Sequence, residues 1–99
     1  MAELLGDAVI AARLTELAGW ERSGGVIRRT VTAPSFPTAV ALVDEVARAA
    51  ENAGHHPDID IRYRSVTFAL STHDAGGLTA KDFDLAERVD QLAAEHDAT

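Results

Sequence analysis

Apolar residues recur at helical spacing in three segments of the chain, which predicts three amphipathic helices. The first helix is expected from Asp7 to Ala18, because Gly19 follows where helices commonly end in a left-handed conformation. The second begins near Pro37, whose missing N–H is tolerated in a first turn, and ends at Gly54. The stripes expected to be buried are Val9, Ile10, Leu14 and Leu17 in the first helix, Phe36, Val40, Val43, Ala47 and Ala50 in the second, and Leu85, Val89 and Leu92 in the third.

The start of the third helix has a signal of its own. Thr79 and Asp82 stand three residues apart, as in a capping box with Asp in place of the usual Glu. Leu78 and Phe83 flank this turn and are placed to form a hydrophobic staple. At the other end of this helix, the tail 96–99 is expected to fray.

Two hairpins are predicted between the helices. Residues 20–23 and 26–33 are strand-like runs joined by two glycines, which tolerate the positive φ angles of a tight turn. Residues 58–63 alternate between apolar and charged side chains, and the run 66–72 follows after a short turn. The face of the third strand expected to be half-buried carries Ile59, Ile61 and Tyr63.

The predicted order of elements is α-β-β-α-β-β-α. Strands that arrive in hairpins form an antiparallel sheet, and amphipathic helices cover one of its faces. The sequence therefore predicts a two-layer α+β fold, a four-stranded antiparallel sheet with helices on one face. The length of 99 residues and an apolar content of 46% suit one modest core, so residues 1–99 are expected to form a single domain.

Composition and charge narrow the classes of function. The chain has no cysteine, which excludes disulfides and thiolate metal sites. It shows neither a signal peptide nor an apolar run long enough to span a bilayer, so we expect a cytoplasmic protein without membrane contact. The formal net charge of -7 opposes direct binding to nucleic acid. The strand arginines that might form a small basic patch, which we interpret as solvated, are Arg28, Arg29, Arg62 and Arg64.

Three histidines fall at places that the predicted topology brings together. His55 and His56 precede the third strand, and His73 follows the fourth. If these strands pair in a hairpin, the entry of one and the exit of the other lie side by side at one end of the sheet. Imidazole has an unperturbed pKa of about 6.5, so such a cluster can hold both protonated and neutral members near neutral pH. This pattern favours general acid–base catalysis.

Other interpretations of these residues remain open. Taken singly, each histidine is more typical of a polar loop or a strand end than of a catalyst. Glu51 alone is typical of a solvated helix end, although one turn from His55 it can instead orient an imidazole or contact a ligand. Asp82 is foremost a helix cap, and Trp20 a core or rim residue. A zinc site is the main chemical competitor, although adjacent histidines without helical spacing support it weakly. Nucleophilic catalysis by Ser71 or Thr72 beside His73 has less support, because no nucleophile-elbow sequence is present.

With these residues the chain resembles the pterin-4a-carbinolamine dehydratases. The resemblance rests on Glu51, His55-His56-Pro57, Tyr63, His73 and Asp82, which are separated by three, five, nine and eight residues. Further likeness lies in the run Leu70–Asp74, in the turn Gly77-Leu78-Thr79 and in Trp20. Together these features extend from about Leu17 to Leu92, and six fixed positions at set spacing make the resemblance specific.

The resemblance implies an enzyme, a hydro-lyase that dehydrates 4a-hydroxytetrahydropterin to quinonoid dihydropterin in pterin recycling. It implies that His55 and His73 are the acid–base pair and that His56 binds and orients the ring. Neither a metal nor an organic cofactor is expected, since side chains alone can transfer these protons. The residues expected to line the substrate pocket are Gly54, Ser71, Thr72 and Asp74, with Glu51, Pro57, Asp82 and Trp20 in support.

The edges of the predicted sheet and the family resemblance both indicate which partners to expect. A four-stranded sheet in so small a domain leaves unpaired strand edges, and no proline lies within either candidate edge strand. We expect a homodimer or a homotetramer, in keeping with the family, together with a functional link to an aromatic amino-acid hydroxylase. The alternative is a non-catalytic pterin-binding or dimerisation module of the same fold. The presence of all three histidines favours the enzyme.

Overall fold

The computed structural model describes residues 3–99. Its elements in chain order are α1 (Asp7–Leu14), β1 (Glu21–Ser23), β2 (Val26–Thr32), α2 (Phe36–Ala53), β3 (Asp58–Arg62), β4 (Ser65–Leu70), a 3-10 turn (His73–Ala75) and α3 (Ala80–Glu95). Within these residues no helix has the length and apolar character needed to cross a membrane.

The four strands form one antiparallel sheet in the order β1-β2-β4-β3. Val66, Phe68 and Leu70 of β4 point to the face that α2 and α3 cover, and all three are fully buried. The other face remains open and carries polar side chains such as Thr30 and Thr67, whose hydroxyls are 2.7 Å apart. The α+β fold predicted from the sequence is therefore confirmed.

The ends of α2 and α3 form where local signals predicted them. Thr79 Oγ1 accepts from the Lys81 amide at 3.3 Å, and the Thr79 amide donates to Asp82 Oδ2 at 2.9 Å, so the capping box is confirmed. Leu78 and Phe83 on either side of it are both buried. Gly54 ends α2 at φ 65°, a left-handed conformation that glycine adopts without steric cost.

The first helix is shorter than predicted. It ends at Leu14, and the next residues form tight turns in which the amides of Glu16 and Leu17 bond to carbonyls three positions back. These turns bring Leu17 into the core, whereas Val9 is 48% exposed. The predicted stripe was therefore wrong at Val9 and right at Ile10 and Leu17, and Leu14 is half-buried.

The buried stripe of α2 also differs from the prediction. Phe36 and Val40 are each 46% exposed, Ala47 is exposed and Val43 is half-buried. The residues that α2 buries are Ala39, Leu42, Val46 and Ala50. The helix carries apolar residues on two neighbouring stripes, and the position of the sheet decides which stripe is buried. Periodicity alone does not contain that information.

Two smaller predictions were wrong. Tyr63 lies in the β3–β4 turn at φ 54° and is 73% exposed, and Ile61 is 39% exposed, so of the predicted face only Ile59 is half-buried. The tail 96–99 is not frayed, because the amide and carbonyl of Thr99 bond to Thr32 at 3.1 and 3.3 Å and Ala98 is buried. Pairing with the end of β2 thus satisfies the last backbone groups of the chain.

Candidate active site

A pocket of about 310 Å³ lies at one end of the sheet. Asp58 at the start of β3 pairs with Ala69 near the end of β4, so the chain entering β3 lies beside the chain leaving β4, as the hairpin argument predicted. The residues that line this pocket are Gly25, Val26, His56, Asp58, Ala69, Leu70, Ser71, His73, Gly76 and Gly77.

The pocket wall is built partly from bare backbone. The segment after β4 returns on itself, and Thr72 and Gly77 form an isolated antiparallel bridge. Gly25 in the β1–β2 turn approaches Gly77 so closely that a Cβ on Gly25 would lie 3.1 Å from the Gly77 Cα. A side chain at Gly25 would therefore crowd the Gly77 backbone, and one at Gly77 would lie 3.0 Å from Leu4 Cδ2.

The two adjacent histidines have different surroundings. After the left-handed turn at Gly54, the His55 amide bonds to the Ala50 carbonyl at 3.1 Å and the His55 side chain enters the protein interior. His55 is 9% exposed and does not line the pocket, whereas His56 is exposed and does. Neighbouring side chains of an extended chain point in opposite directions, so the His55 side chain turns to the interior and the His56 side chain to the pocket.

Asp82 holds His55 from the first turn of α3. Its carboxylate is fully buried, and Oδ1 lies 2.6 Å from His55 Nε2. Its other oxygen accepts from the Thr72 hydroxyl at 2.8 Å and from the Thr79 amide at 2.9 Å. Both oxygens of the buried carboxylate therefore have polar partners, as a buried polar group requires. The contact with Asp82 occupies His55 Nε2 and leaves Nδ1 as the other ring nitrogen of that imidazole.

His56 is oriented by the end of α2. Glu51 Oε1 lies 2.7 Å from His56 Nε2, and both side chains are exposed. A solvent-exposed pair of this kind adds little stability. Glu51 thus contacts an imidazole, as the sequence allowed, and the imidazole is that of His56.

The segment that leaves β4 supplies the opposite wall. His73 begins the 3-10 turn and lines the pocket, and Asp74 beside it is exposed. Ser71 also lines the pocket and donates its hydroxyl to the Gly25 carbonyl at 2.7 Å. Thr72 between them points inward, toward Asp82. The structure therefore brings His56, Ser71 and His73 to one pocket, whereas His55 contacts Asp82 and lines a separate cavity of about 240 Å³ between α2 and α3.

Several of the residues predicted to form or support the site lie away from the pocket wall. Gly54 caps α2 and Pro57 leads into β3, and neither lines the pocket. Trp20 is buried, and its indole N–H donates to Asp90 Oδ1 on α3 at 2.9 Å. This bond ties the turn before β1 to α3, which fits the core interpretation of Trp20.

Sequence reasoning missed one side of the pocket. The omitted lining residues are Gly25, Val26, Asp58, Ala69, Leu70, Gly76 and Gly77. The lining residues after the fourth strand and at the start of the third strand could have been predicted from the sequence, because they adjoin the predicted histidines. Gly25 and Val26 required the pairing of β2 with β4, which places Ile27 opposite Leu70. No short motif encodes that pairing.

Within residues 3–99, no group of three or more His, Cys, Asp or Glu side chains is arranged to hold a metal ion. The reason is visible in the geometry of the histidines. His55 turns toward Asp82, while His56 and His73 line the pocket.

Comparison with known proteins agrees with this architecture. A family model described as Pterin 4 alpha carbinolamine dehydratase matches residues 3–92. A relative from Nocardia farcinica, named for pterin-4-alpha-carbinolamine dehydratase, is 66% identical over 91 residues, covering 92% of this chain and 96% of the relative. A relative of the same name from Roseiflexus castenholzii is 63% identical over 92 residues, covering 93% and 99%.

Solved structures share the fold. A transcriptional coactivator/pterin dehydratase from Brucella melitensis superposes with a TM-score of 0.87 at 28% identity, covering 90% of this chain and 97% of that one. A pterin dehydratase-like protein identified as a RuBisCO assembly factor in the alpha-carboxysome superposes with a TM-score of 0.62 at 24% identity, covering 75% and 86%, and shows the fold alone. The chain therefore belongs to the pterin 4 alpha carbinolamine dehydratase family, a family of hydro-lyases, as its histidine motif predicted.

Proposed function

We propose that this protein dehydrates 4a-hydroxytetrahydropterin to quinonoid dihydropterin by histidine acid–base catalysis. The observation that carries the proposal is the pocket wall formed by His56 and His73, together with the His55–Asp82 pair, which Thr72 connects to the segment that carries His73. Membership of the family and the names of close relatives support the same reaction.

The chemistry requires two proton transfers. The C4a–O bond breaks when its hydroxyl receives a proton and leaves as water, and a double bond forms to the ring nitrogen as that nitrogen loses its proton. A positioned acid and a positioned base account for both steps, and each typically contributes 10²- to 10⁴-fold. Imidazoles suit both roles because they change charge near neutral pH.

We assign His73 and His55 to the acid–base pair and His56 to binding and orientation of the ring. The His55 assignment rests on similarity to the family and on its nitrogen atoms. Nε2 is occupied by Asp82, and no buried side-chain nitrogen or oxygen in residues 3–99 lacks a partner, so Nδ1 is reached by solvent. One observation favours an alternative pair, His56 with His73, because these two histidines line the pocket together.

Asp58 extends the proposal to substrate recognition. It is the one carboxylate among the residues that line the pocket. The pyrimidine edge of a pterin presents a ring N–H beside an amino group, and a carboxylate accepts such paired donors in a bidentate manner. We therefore assign Asp58 to the pyrimidine edge of the substrate.

The remaining parts of the proposal concern the setting of the reaction. A cytoplasmic location, a homo-oligomer and a link to an aromatic amino-acid hydroxylase accompany it. The second candidate function is a non-catalytic interaction module, which is motivated by the coactivator description of the Brucella melitensis relative. The three histidines and the pocket favour the enzyme, since a protein-binding surface has no need of them.

The test is a spectrophotometric assay with 4a-hydroxytetrahydropterin generated in situ. We expect the purified protein to accelerate dehydration above the uncatalysed rate, and a chelator to leave that acceleration unchanged. Absence of acceleration by folded protein contradicts the proposal. Loss of activity with chelator and its return with zinc contradicts the acid–base mechanism and supports a metal.

A further inference from the structure

We propose that Thr72 is a positioning residue that acts on His55 through Asp82, an inference that rests on the proposed function and assigns a new role within its site. The Thr72 hydroxyl lies 2.8 Å from Asp82 Oδ2, and Asp82 Oδ1 lies 2.6 Å from His55 Nε2. All three side chains are buried. Thr72 thus reaches the imidazole in two hydrogen bonds without facing the pocket.

The backbone N–H and carbonyl of Thr72 are also hydrogen-bonded within the protein. Its amide donates to the Gly77 carbonyl at 2.9 Å, and its carbonyl accepts from Ala75 and Gly76 at 3.1 and 3.0 Å. These bonds close the turn that carries His73. The polar groups of Thr72 are therefore engaged inside the protein, which argues against the substrate contact that the family resemblance implied for this side chain.

The protons of the network have one consistent arrangement. Thr79 Oγ1 accepts from the Lys81 amide at 3.3 Å and lies 2.8 Å from Thr72 Oγ1. Because the single Thr72 proton goes to the Asp82 carboxylate, Thr79 donates to Thr72. The chain of donation runs from Lys81 through Thr79 and Thr72 to Asp82, and each hydroxyl is used as both acceptor and donor.

This arrangement fixes the carboxylate. Asp82 Oδ2 is held by two donors, Thr72 Oγ1 and the Thr79 amide, and Oδ1 is thereby aimed at His55. The carboxylate in turn selects the tautomer and ring orientation of the imidazole, as in other histidine–carboxylate pairs. Loss of the Thr72 hydroxyl removes one of the two restraints on Oδ2. The effect is expected in the rate of chemistry rather than in substrate affinity.

The experiment compares two substitutions of the same residue. Thr72→Val keeps the shape and removes the hydroxyl, and we expect it to lower kcat about tenfold with little change in KM, the usual effect of losing one hydrogen bond. Thr72→Ser restores the hydroxyl and most of the rate. The matched control is Thr67→Val. Thr67 lies in β4, and its hydroxyl bonds that of Thr30 on the open face of the sheet, outside the pocket. It is expected to leave kcat unchanged.

Two further measurements separate positioning from damage to the fold. In a His55→Ala background, Thr72→Val should cause no additional loss of kcat, because the residue through which it acts is gone. In ¹⁵N NMR spectra of the folded protein, Thr72→Val should change the imidazole signals of His55 that report its tautomer, and leave those of His96 as they are.

The outcomes distinguish this inference from the proposed function. If the wild type has no dehydratase activity, the proposed function fails, and the NMR comparison still tests whether Thr72 positions His55. If the wild type is active and folded Thr72→Val retains its kcat and its His55 signals, the positioning role is wrong. Additive losses in the double variant also contradict it.

Discussion

At the residue scale, the three histidines divide between two environments. His56 and His73 line the pocket, and His55 contacts Asp82 and lines a separate cavity. The division matters for mechanism because a buried imidazole with a fixed carboxylate partner keeps one tautomer, whereas an exposed one adapts to the ligand. The roles of the three can therefore be separated by kinetics.

We expect His55→Ala and His73→Ala each to lower kcat by roughly 10²-fold or more, the usual contribution of a positioned acid or base. His56→Ala should mainly raise KM. His96→Ala is the matched control, since its Nδ1 bonds the Leu92 carbonyl near the end of α3 and it does not line the pocket. Steady-state kinetics with folding checked by circular dichroism decide the matter. Loss of kcat in His56→Ala with normal kcat in His55→Ala would assign His56 as the partner of His73.

Asp58 permits a second test at this scale. Asp58→Asn keeps the size of the side chain and removes its charge, so we expect KM for the pterin to rise several-fold, with kcat much less affected, through loss of a charge-assisted contact. Asp60→Asn is the control, because Asp60 lies two residues along the same strand and does not line the pocket. Equal KM values for the two variants would refute the assignment of Asp58 to the pyrimidine edge.

At the element scale, the end of α2 and the start of α3 were easier to predict than the buried faces of the helices. The capping box at Thr79 and the left-handed glycine at Gly54 are local interactions within one turn, and both occur as expected. The buried stripes of α1 and α2 depend on where the sheet lies, and Val9 and Val40 proved to be exposed. Side chains of similar hydrophobicity thus contribute differently to stability.

Neighbouring residues of α1 test this difference. Ile10 is 2% exposed and Val9 is 48% exposed. We expect Ile10→Ala to lower the free energy of unfolding by about 2–5 kcal/mol, because it leaves a cavity in the core. Val9→Ala should change it by less than about 0.5 kcal/mol. Urea unfolding at one fixed protein concentration provides the comparison, and similar losses in both variants would contradict the burial pattern of α1.

At the scale of the whole molecule, the surface carries features suited to assembly. β1 and β3 lie at the two edges of the sheet, and each edge strand leaves backbone groups unpaired on one side. The stripe of α2 that turned out not to be buried presents Phe36 and Val40 to solvent. A second copy of the chain across a two-fold axis would complement both features.

We therefore expect a dimer or a tetramer, with a mass of two or four times 10.5 kDa by light scattering coupled to size exclusion at micromolar concentration. Val40→Asp should shift the mass toward smaller species by charging the exposed stripe of α2. Ala41→Asp is the control, because Ala41 is also exposed on α2 and lies about 100° around the helix from Val40. A wild-type mass near 10.5 kDa would refute the assembly.

The sequence by itself determined the order of elements, the antiparallel hairpins, the end of α2, the start of α3 and the placement of His56 in one pocket with His73. Each of these follows from interactions between residues close in sequence, such as caps, turns and strand alternation. The spacing of the histidine motif was likewise sufficient to indicate the family, which the comparisons confirmed.

Only the tertiary structure decided which side of each element is buried. Ala39 and Leu42, rather than Phe36 and Val40, face the sheet because the sheet packs against that side of α2. The His55 side chain turns inward because it contacts the carboxylate of Asp82, which lies 27 residues later in the chain. Gly25 joins the pocket because β2 pairs with β4. These contacts connect residues far apart in sequence, and their geometry depends on the packed core as a whole.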